Sequence, residues 1–447
     1  MRIGRVLAFL VVLLFASTSA MAGGFRLPEA GAKAMGMGFA FTAQANDPSA
    51  IYFNPAGILQ LEGTNAKVGV TYVKQNGGTF SGITPLTGGA SVSETQKDLD
   101  FFIPNAFVTI KKSPNFAYGI GIFSPFGLGQ EYENRNTSIF RNQVTKIDLL
   151  TLVLNPTVAY KVNEFLSVAA GIDFMYGKAE LARTPVGTDN VTFGPANIFN
   201  LDLEGDGTAW GYNFGVLLTP TKNLKVGAAY RSKFDLDIDD GDVDLSNVHP
   251  GGIIVSQAPL VSLPPRGPFP IGFGGASFST KGSVTVHIPA TFDLGVAYVL
   301  DRLTLELDAS WTFWHSYQSL NIDLKDNRTF LPDSSSRKDW DDVMAIYVGG
   351  EYRVTDPLAL RLGFRWDPTP VPADTMGPEL PDADKLYYCA GLGYKIRNWT
   401  FDLAYMYVDK KDRTVDNLND AATDVNAFNG KWTGDAHLVA FDIGYKF

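Results

Sequence analysis

Residues 303–313 read LTLELDASWTF. Leu303, Leu305, Leu307, Ala309, Trp311 and Phe313 hold the odd positions, and Thr304, Glu306, Asp308, Ser310 and Thr312 the even ones. Successive side chains of an extended chain point to opposite faces, so this stretch has one apolar and one polar face. The same period recurs at Leu166, Val168, Ala170, Ile172, Phe174 and Tyr176, at Trp210, Tyr212, Phe214, Val216 and Leu218, and at Leu358, Leu360, Leu362, Phe364 and Trp366. The intervening positions carry Gly, Ala, Ser, Asn, Asp or Arg far more often than Leu or Ile. Such strands border oil on one side and tolerate water on the other.

Carried along the chain, this template marks segments near 64–74, 101–111, 116–123, 149–160, 164–182, 208–220, 224–238, 282–300, 303–316, 340–354, 358–366, 385–396, 399–409 and 434–447, fourteen in all. Segment 282–300 counts as one strand because the apolar parity of Val284, Val286 and Ile288 carries past Pro289 to Phe292 and Leu294. Short links, among them 112–115, 161–163, Asp301-Arg302 and Arg397-Asn398, alternate with long ones such as 75–100, 124–148, 183–207 and 239–281. An even strand number with short turns at one end and long loops at the other is the pattern of a bacterial outer-membrane barrel. The sequence therefore predicts an all-β fold, a 14-stranded antiparallel transmembrane β-barrel with both termini on the periplasmic side. A propeller or sandwich is the competing architecture, since each strand signal is weak by itself, but neither explains the alternation of link lengths. The last strand, His437, Val439, Phe441, Ile443, Tyr445 and Phe447, ends on an aromatic and looks like an outer-membrane assembly signal.

Composition narrows the function. An aromatic content of 13% excludes a disordered chain. Against 47 acidic residues stand 37 Lys and Arg, a formal net charge of -10, so no basic face awaits nucleic acid. Cys389 is the single cysteine, which excludes an internal disulfide framework and four-thiolate metal sites. Arg2 and Arg5, the apolar run Val6–Phe15 and Ala20-Met21-Ala22 are the charged start, apolar middle and small-x-small end of a signal peptide over residues 1–22. That run is too short for a spanning helix, which needs about 20 residues.

The mature start is not strand-like. Residues 23–57 read GGFRLPEAGAKAMGMGFAFTAQANDPSAIYFNPAG, Gly-rich, helix-compatible over Ala30–Met37 and turned at Asp47-Pro48. Residues 23–62 are too many for a tail and suit a plug. Gly23-Gly24-Phe25, Asn46-Asp47-Pro48-Ser49 and Asn54-Pro55-Ala56-Gly57 resemble the N-terminal hatch of the FadL family, outer-membrane transporters for long-chain fatty acids and, in one branch, aromatic hydrocarbons. The resemblance implies a partly helical hatch over 23–62, with Asn54, Pro55 and Ala56 as its motif, inside a barrel over 63–447. A second stretch, GIFSPFGLG at 121–129, interrupts the third strand. Pro removes a ladder donor and Gly packs no side chain, so a strand bends or opens there, although the plain alternative is strand three simply ending. In the family the third strand kinks inward and leaves a hole in the wall, and Ser124, Pro125, Phe126 and Gly127 resemble that place as a lateral opening.

The longest loop, 239–281, holds an apolar cluster that suits ligand capture at Ile253, Ile254, Leu260, Leu263, Phe269 and Phe273. Folding of the loop on itself or over the mouth explains the same residues equally well. The acidic run from Asp235 to Asp244 has the wrong spacing for an EF-hand and reads as solvated loop, so no metal site is expected. Parity sends Asp173, Arg231, Lys233, Asp293, Glu306, Asp308, Arg361, Arg365, Asp402 and Asp442 to the lumen. A charge facing lipid costs ~2–4 kcal/mol at the midplane. Most of these read as wall salt bridges, and Arg361 and Arg365 are the candidates to receive a carboxylate. Of the four histidines only His287 has lumen parity, and nothing places a Ser and an acid beside it, so no catalytic residue, enzyme activity or cofactor is expected. The expected function is outer-membrane passage of hydrophobic molecules by passive diffusion through a plugged barrel, with long-chain fatty acids and lateral release implied by the resemblance. Aromatic hydrocarbon uptake and a polar-solute porin are the alternatives. The expected partners are a hydrophobic small molecule and outer-membrane lipid, with the protein a monomer.

Overall fold

The computed structural model describes residues 23–189, 195–247, 253–254, 277–325, 333–418 and 428–447. Fourteen antiparallel strands form the wall. They are β1 (Thr64–Ile83), β2 (Leu99–Ser113), β3 (Phe116–Phe123, resuming at Gly127–Glu131), β4 (Lys146–Lys161), β5 (Leu166–Arg183), β6 (Asn200–Leu218) and β7 (Leu224–Arg231 and Phe234–Ser246). The circuit continues through β8 (Phe278–Ile288 and Thr291–Leu300), β9 (Leu303–Thr312), β10 (Val343–Arg353), β11 (Leu358–Asp367), β12 (Lys385–Ile396), β13 (Trp399–Asp416) and β14 (Asn429–Lys446). β14 pairs with β1 from Lys446 opposite Asn65 to Asn429 opposite Ile83, so the sheet closes on itself.

The faces are inverted relative to a water-soluble protein. Leu305, Leu307, Leu360 and Leu362 are exposed, while Glu306, Asp308, Arg361 and Arg365 on the same strands are buried inside. Tyr160, Tyr298, Tyr352, Tyr394 and Trp399 stand outward beside the short turns, as one aromatic girdle. Two of those turns are two-residue hairpins in which Asp301 and Arg397 take φ of 53° and 54°. The left-handed conformation matches the twist of the flanking strands.

Several strands outrun their sequence pattern. β1 continues to Ile83, β6 begins at Asn200, and β13 reaches Asp416. The alternation is imposed by lipid. Beyond the bilayer neither face needs oil, so the ladder continues without the pattern that marks it.

β7 and β8 are each interrupted by two residues, Ser232-Lys233 and Pro289-Ala290. The register passes through unchanged, with Arg231 opposite Thr291 and Phe234 opposite Ile288. Each is one strand, as predicted, yet the expected unbroken parity is wrong. Ile288 and Thr291 are three residues apart and both face inward, which a regular pleat forbids. Pro289 cannot donate to a ladder, and the break turns the chain by half a pleat. Beyond it Leu236, Ile238, Val286 and Ile288 are buried, whereas Asp235, Asp237, Thr285 and His287 lie on the outside. His287 is therefore not a lumen residue. Lys233, also expected inside, sits in the break and pairs with Asp235 at 3.0 Å. The acidic run is strand rather than loop, its outer face tied to Lys281 through Asp242 and to Lys325 through Asp240.

Residues 23–61 lie inside the barrel. They form α1 (Ala32–Gly36), α2 (Ala50–Phe53) and a 3-10 turn at Pro55–Gln60. Wall carboxylates hold their backbone. Asp442 accepts from Ala32 N (2.7 Å), Asp308 from Phe41 N and Thr42 N (both 2.9 Å), and Glu306 from Ala43 N (2.6 Å) and Gln44 N (3.0 Å). Hydrogen bonds to a charged group contribute roughly 1.5–3 kcal/mol each. Gly38 (φ +64°) shows how close the segment comes to the wall, since a Cβ there would stand 2.7 Å from Phe364 N.

Candidate functional site

Asn54 is the clamp between the internal segment and the wall. Its side chain accepts from Ala56 N (3.2 Å), capping the 3-10 turn, and donates to Thr42 O and to Val216 O of β6 (both 2.9 Å). Pro55 fits the first position of that turn because its missing N–H has no partner there anyway. Ala56 is fully buried beside it.

Ser124–Gly127 bends β3 inward. Phe123 opposes Val153 and Gly127 opposes Leu150, so three residues of β3 face only Thr151 and Leu152 of β4, which is a β-bulge. Ser124 Oγ donates to Thr151 O (2.6 Å), and Phe126 N to Thr151 Oγ1 (3.2 Å). The other edge pairs with the internal segment. Leu27 N donates to Pro125 O (2.7 Å) and Gly127 N to Phe25 O (2.9 Å). On the β2 side the ladder joins Ala106–Ser113 to Phe116–Ile122 and then stops. Among the described residues Leu99–Asn105 have no partner on β3, and contact resumes only where Lys97 N donates to Glu131 O (2.8 Å). The result is a gap in the hydrogen-bond ladder of the wall. Pro104 lies in its frame, and a proline inside an apparently central strand is a sequence signal for an edge that our reading missed.

Two cavities flank the bend. The outer one, about 100 Å³, lies among Phe25, Leu128, Leu149, Ile238, Val286 and Ile322. The inner one, about 20 Å³, is bounded by Arg26, Tyr52, Pro125, Phe126, Arg231 and Tyr347. Phe25 and Phe126 meet at 6.0 Å between ring centroids and separate the two. Arg26 donates to Ser310 (2.6 Å), Thr312 (3.1 Å) and Asp293 (3.2 Å), and Arg231 pairs with Asp173 at 2.5 Å beneath the Tyr52 and Phe123 rings. Burial pushes the Tyr52 phenol up to about 12, and it donates to Leu27 O at 3.0 Å. Arg26 escaped the sequence reading. Arg26 is the one arginine of residues 23–62, and a guanidinium enclosed in a lumen has to meet an acid there, which was the available signal.

The two arginines singled out from sequence differ. Arg361 spends its donors on Glu351 (2.7 Å) and Asp402 (2.6 Å). Arg365 pairs with Asp367 and lies over the rings of Tyr387 (4.5 Å) and Tyr347 (4.9 Å), while its Nε and Nη1, and the Tyr347 hydroxyl, have no partner among the described residues. Arg361→Ala should destabilise the barrel by about 3–5 kcal/mol, because it takes the guanidinium from buried Asp402 and leaves Glu351 with Lys33 alone as its cation. The temperature at which the folded band is lost on heat-modifiability gels should fall, with ligand affinity of the surviving folded fraction unchanged. Of the capture-loop residues, Ile253 and Ile254 pair through their backbone with Asp189 and Thr188, and Leu260, Leu263, Phe269 and Phe273 lie outside the described residues.

A closed antiparallel barrel with an apolar outside, a charged inside and its own chain in the lumen is an outer-membrane transport barrel. The chain belongs to the family described as Outer membrane protein transport protein (OMPP1/FadL/TodX), which matches residues 13–447. It is 27% identical to the Long-chain fatty acid transport protein of Escherichia coli O6:H1, with 98% of each chain covered, and 24% identical to Outer membrane protein P1 of Haemophilus influenzae, with 97% of each covered. Its fold matches the crystal structure of a Pseudomonas aeruginosa FadL homologue with a TM-score of 0.75 at 21% identity, over 95% of this chain and 100% of that one. The Ralstonia pickettii toluene transporter TbuX matches with a TM-score of 0.64 at 19% identity, over 93% and 98%. This chain is thus an outer-membrane transporter of hydrophobic molecules, not an enzyme.

Proposed function

We propose that the protein carries long-chain fatty acids across the outer membrane by passive diffusion and releases them sideways through the window beside Ser124–Gly127. The observation that carries this reading is the missing ladder between Leu99–Asn105 and β3, next to a cavity bounded by Pro125 and Phe126. Residues 1–22 act as signal peptide, 23–62 as hatch and 63–447 as barrel. Ligand is captured by Ile253, Ile254, Leu260, Leu263, Phe269 and Phe273, enters the outer cavity, and passes Phe25 and Phe126 into the inner one. Arg365, with two unpartnered donors behind Tyr347, is the better placed of the two arginines to receive a carboxylate when the hatch shifts. The fatty-acid reading draws on the named relatives. The experiment is uptake by cells that lack their own fatty-acid transporter and express this chain. Radiolabelled oleate should accumulate well above the vector control. Accumulation of toluene without oleate would assign the protein to aromatic hydrocarbons, and passage of a small sugar instead would make it a porin.

A further inference from the structure

Gly69 of β1 stands opposite Asn105 of β2 on one side and Asp442 of β14 on the other. Thr71 is the next residue of β1 on the same face. Asn105, Thr71 and Asp442 are buried, at 2%, 0% and 1% exposure. Yet Asn105 Nδ2 and Oδ1, Thr71 Oγ1 and Asp442 Oδ1 have no hydrogen-bond partner among the described residues. Elsewhere on the wall such groups satisfy one another, as Asn213 Nδ2 does by donating to Asn155 Oδ1 at 3.0 Å. Gln75 and Thr109 are also unpartnered, but they lie four residues, roughly 13 Å, further along these strands and outside the group. A buried polar atom without a partner is costly, so four around one glycine call for a ligand.

Gly69 makes the arrangement possible. A Cβ there would stand 1.8 Å from Asp442 Oδ1, so that oxygen leans over Gly69 toward Asn105. The other oxygen, Oδ2, accepts from Ala32 N of the internal segment and from Lys67, both at 2.7 Å. Charge then decides what fits. Lys33, Lys67 and Arg361 face Asp47, Asp442, Glu351 and Asp402, three cations against four carboxylates. A further anion would widen that imbalance in a dry place. A neutral group that donates to Asp442 Oδ1 and accepts from Asn105 Nδ2 or Thr71 Oγ1 satisfies both sides. Protonated carboxyls and hydroxyls can do so, whereas an ester has no hydrogen to give.

Asn105 is also the last residue of the stretch Leu99–Asn105 that lacks a partner on β3. Two residues on, Phe107 stacks with Phe123 at 6.1 Å, and Phe123 meets Tyr52 of the inner cavity at 5.0 Å. The group therefore lies at the inner lip of the gap, a pair of rings away from that cavity. We propose that Asn105, Thr71 and Asp442 form a head-group site there, which holds the neutral, hydrogen-donating head of an amphiphile while its tail enters the lipid. The inference rests on the sideways release proposed above and adds that a fatty acid leaves uncharged, in the acid form that exchanges protons with water. An ionised carboxylate at the gap would carry its charge into hydrocarbon.

The test replaces Asn105 with Leu and Thr71 with Val, each of the same branched shape, in cells that lack their own fatty-acid transporter. Accumulation of radiolabelled oleate, oleyl alcohol and methyl oleate is followed. Each variant should lower accumulation of oleate and of the alcohol by about fivefold, the usual weight of one hydrogen bond, and that of the methyl ester by less than about twofold. Neither side chain is partnered in the resting barrel, so both variants should keep the folded band on heat-modifiability gels to the wild-type temperature or above it. Either variant suffices if the other fails to assemble. Unchanged accumulation, equal losses on all three compounds, a loss on oleate alone, or a folded band lost at lower temperature would each overturn the site while leaving transport itself standing. A wild-type chain that accumulates none of the three would overturn the transport reading, and the site with it.

Discussion

Deleting Pro125 should reduce hydrophobic-substrate uptake by about tenfold or more, which corresponds to at least about 1.4 kcal/mol on the limiting step. The reason is arithmetic in the ladder. Three residues, Ser124–Phe126, oppose two, Thr151 and Leu152, and removing one restores a continuous register from Phe123 to Gly127. The straightened strand can then pair along the free edge of Leu99–Asn105 and close the window. Replacing Pro125 with Val and Gly127 with Thr supplies a donor and side chains but leaves the extra residue, so its effect should be smaller. Uptake is measured in cells, with heat-modifiability checking assembly and ligand binding to detergent-solubilised protein checking capture. An assembled deletion variant that transports at the wild-type rate would move the exit to the barrel axis.

Deleting Gly24–Ala43 should convert a closed barrel into an open one and raise single-channel conductance in planar bilayers by an order of magnitude or more, because these residues cross the lumen between Asp442 on one side of the wall and Asp308 and Glu306 on the other. The wall should survive the loss. Asp308, Glu306 and Asp442 give up backbone donors but face water instead of a dry interface, so they remain solvated rather than stranded. Barrel closure through β14 and β1 involves none of the deleted residues. A conductance that is unchanged and already large would mean that residues 24–43 do not obstruct the pore.

The strands were legible because lipid imposes a period of two on every residue it touches, as at Leu303–Phe313, and because link lengths alternate. Pattern failed where lipid ends. The extensions of β1, β6 and β13 lack alternation, and the breaks at Ser232-Lys233 and Pro289-Ala290 invert parity without shifting register, which misplaced His287 and Lys233. Asn54-Pro55-Ala56 and Ser124–Gly127 stood out because Pro and Gly constrain the backbone wherever they occur. The partners of Arg26 and the roles of Glu306 and Asp308 were invisible for another reason. Their partners lie more than 260 residues away in sequence, and no local rule links a plug amide to a wall carboxylate.

The inversion at those two breaks also bears on how the proposed passive route works without an attached energy source. Below the breaks the hydrophobic surface faces the bilayer, and above them it faces the interior, on Leu236, Ile238, Val286 and Ile288. A nonpolar solute therefore completes its transfer out of water on reaching the outer cavity, before it arrives at the depth of the lipid. That transfer releases roughly 25 cal/mol per Å² of apolar surface. On the proposed sideways route the solute then passes Arg26 and Arg231, whose charges are already paired with Asp293 and Asp173, so no ion pair has to be broken for it to pass. Net direction is then set by whatever depletes the solute on the far side, and the barrel itself acts as a partitioning step with a preferred depth.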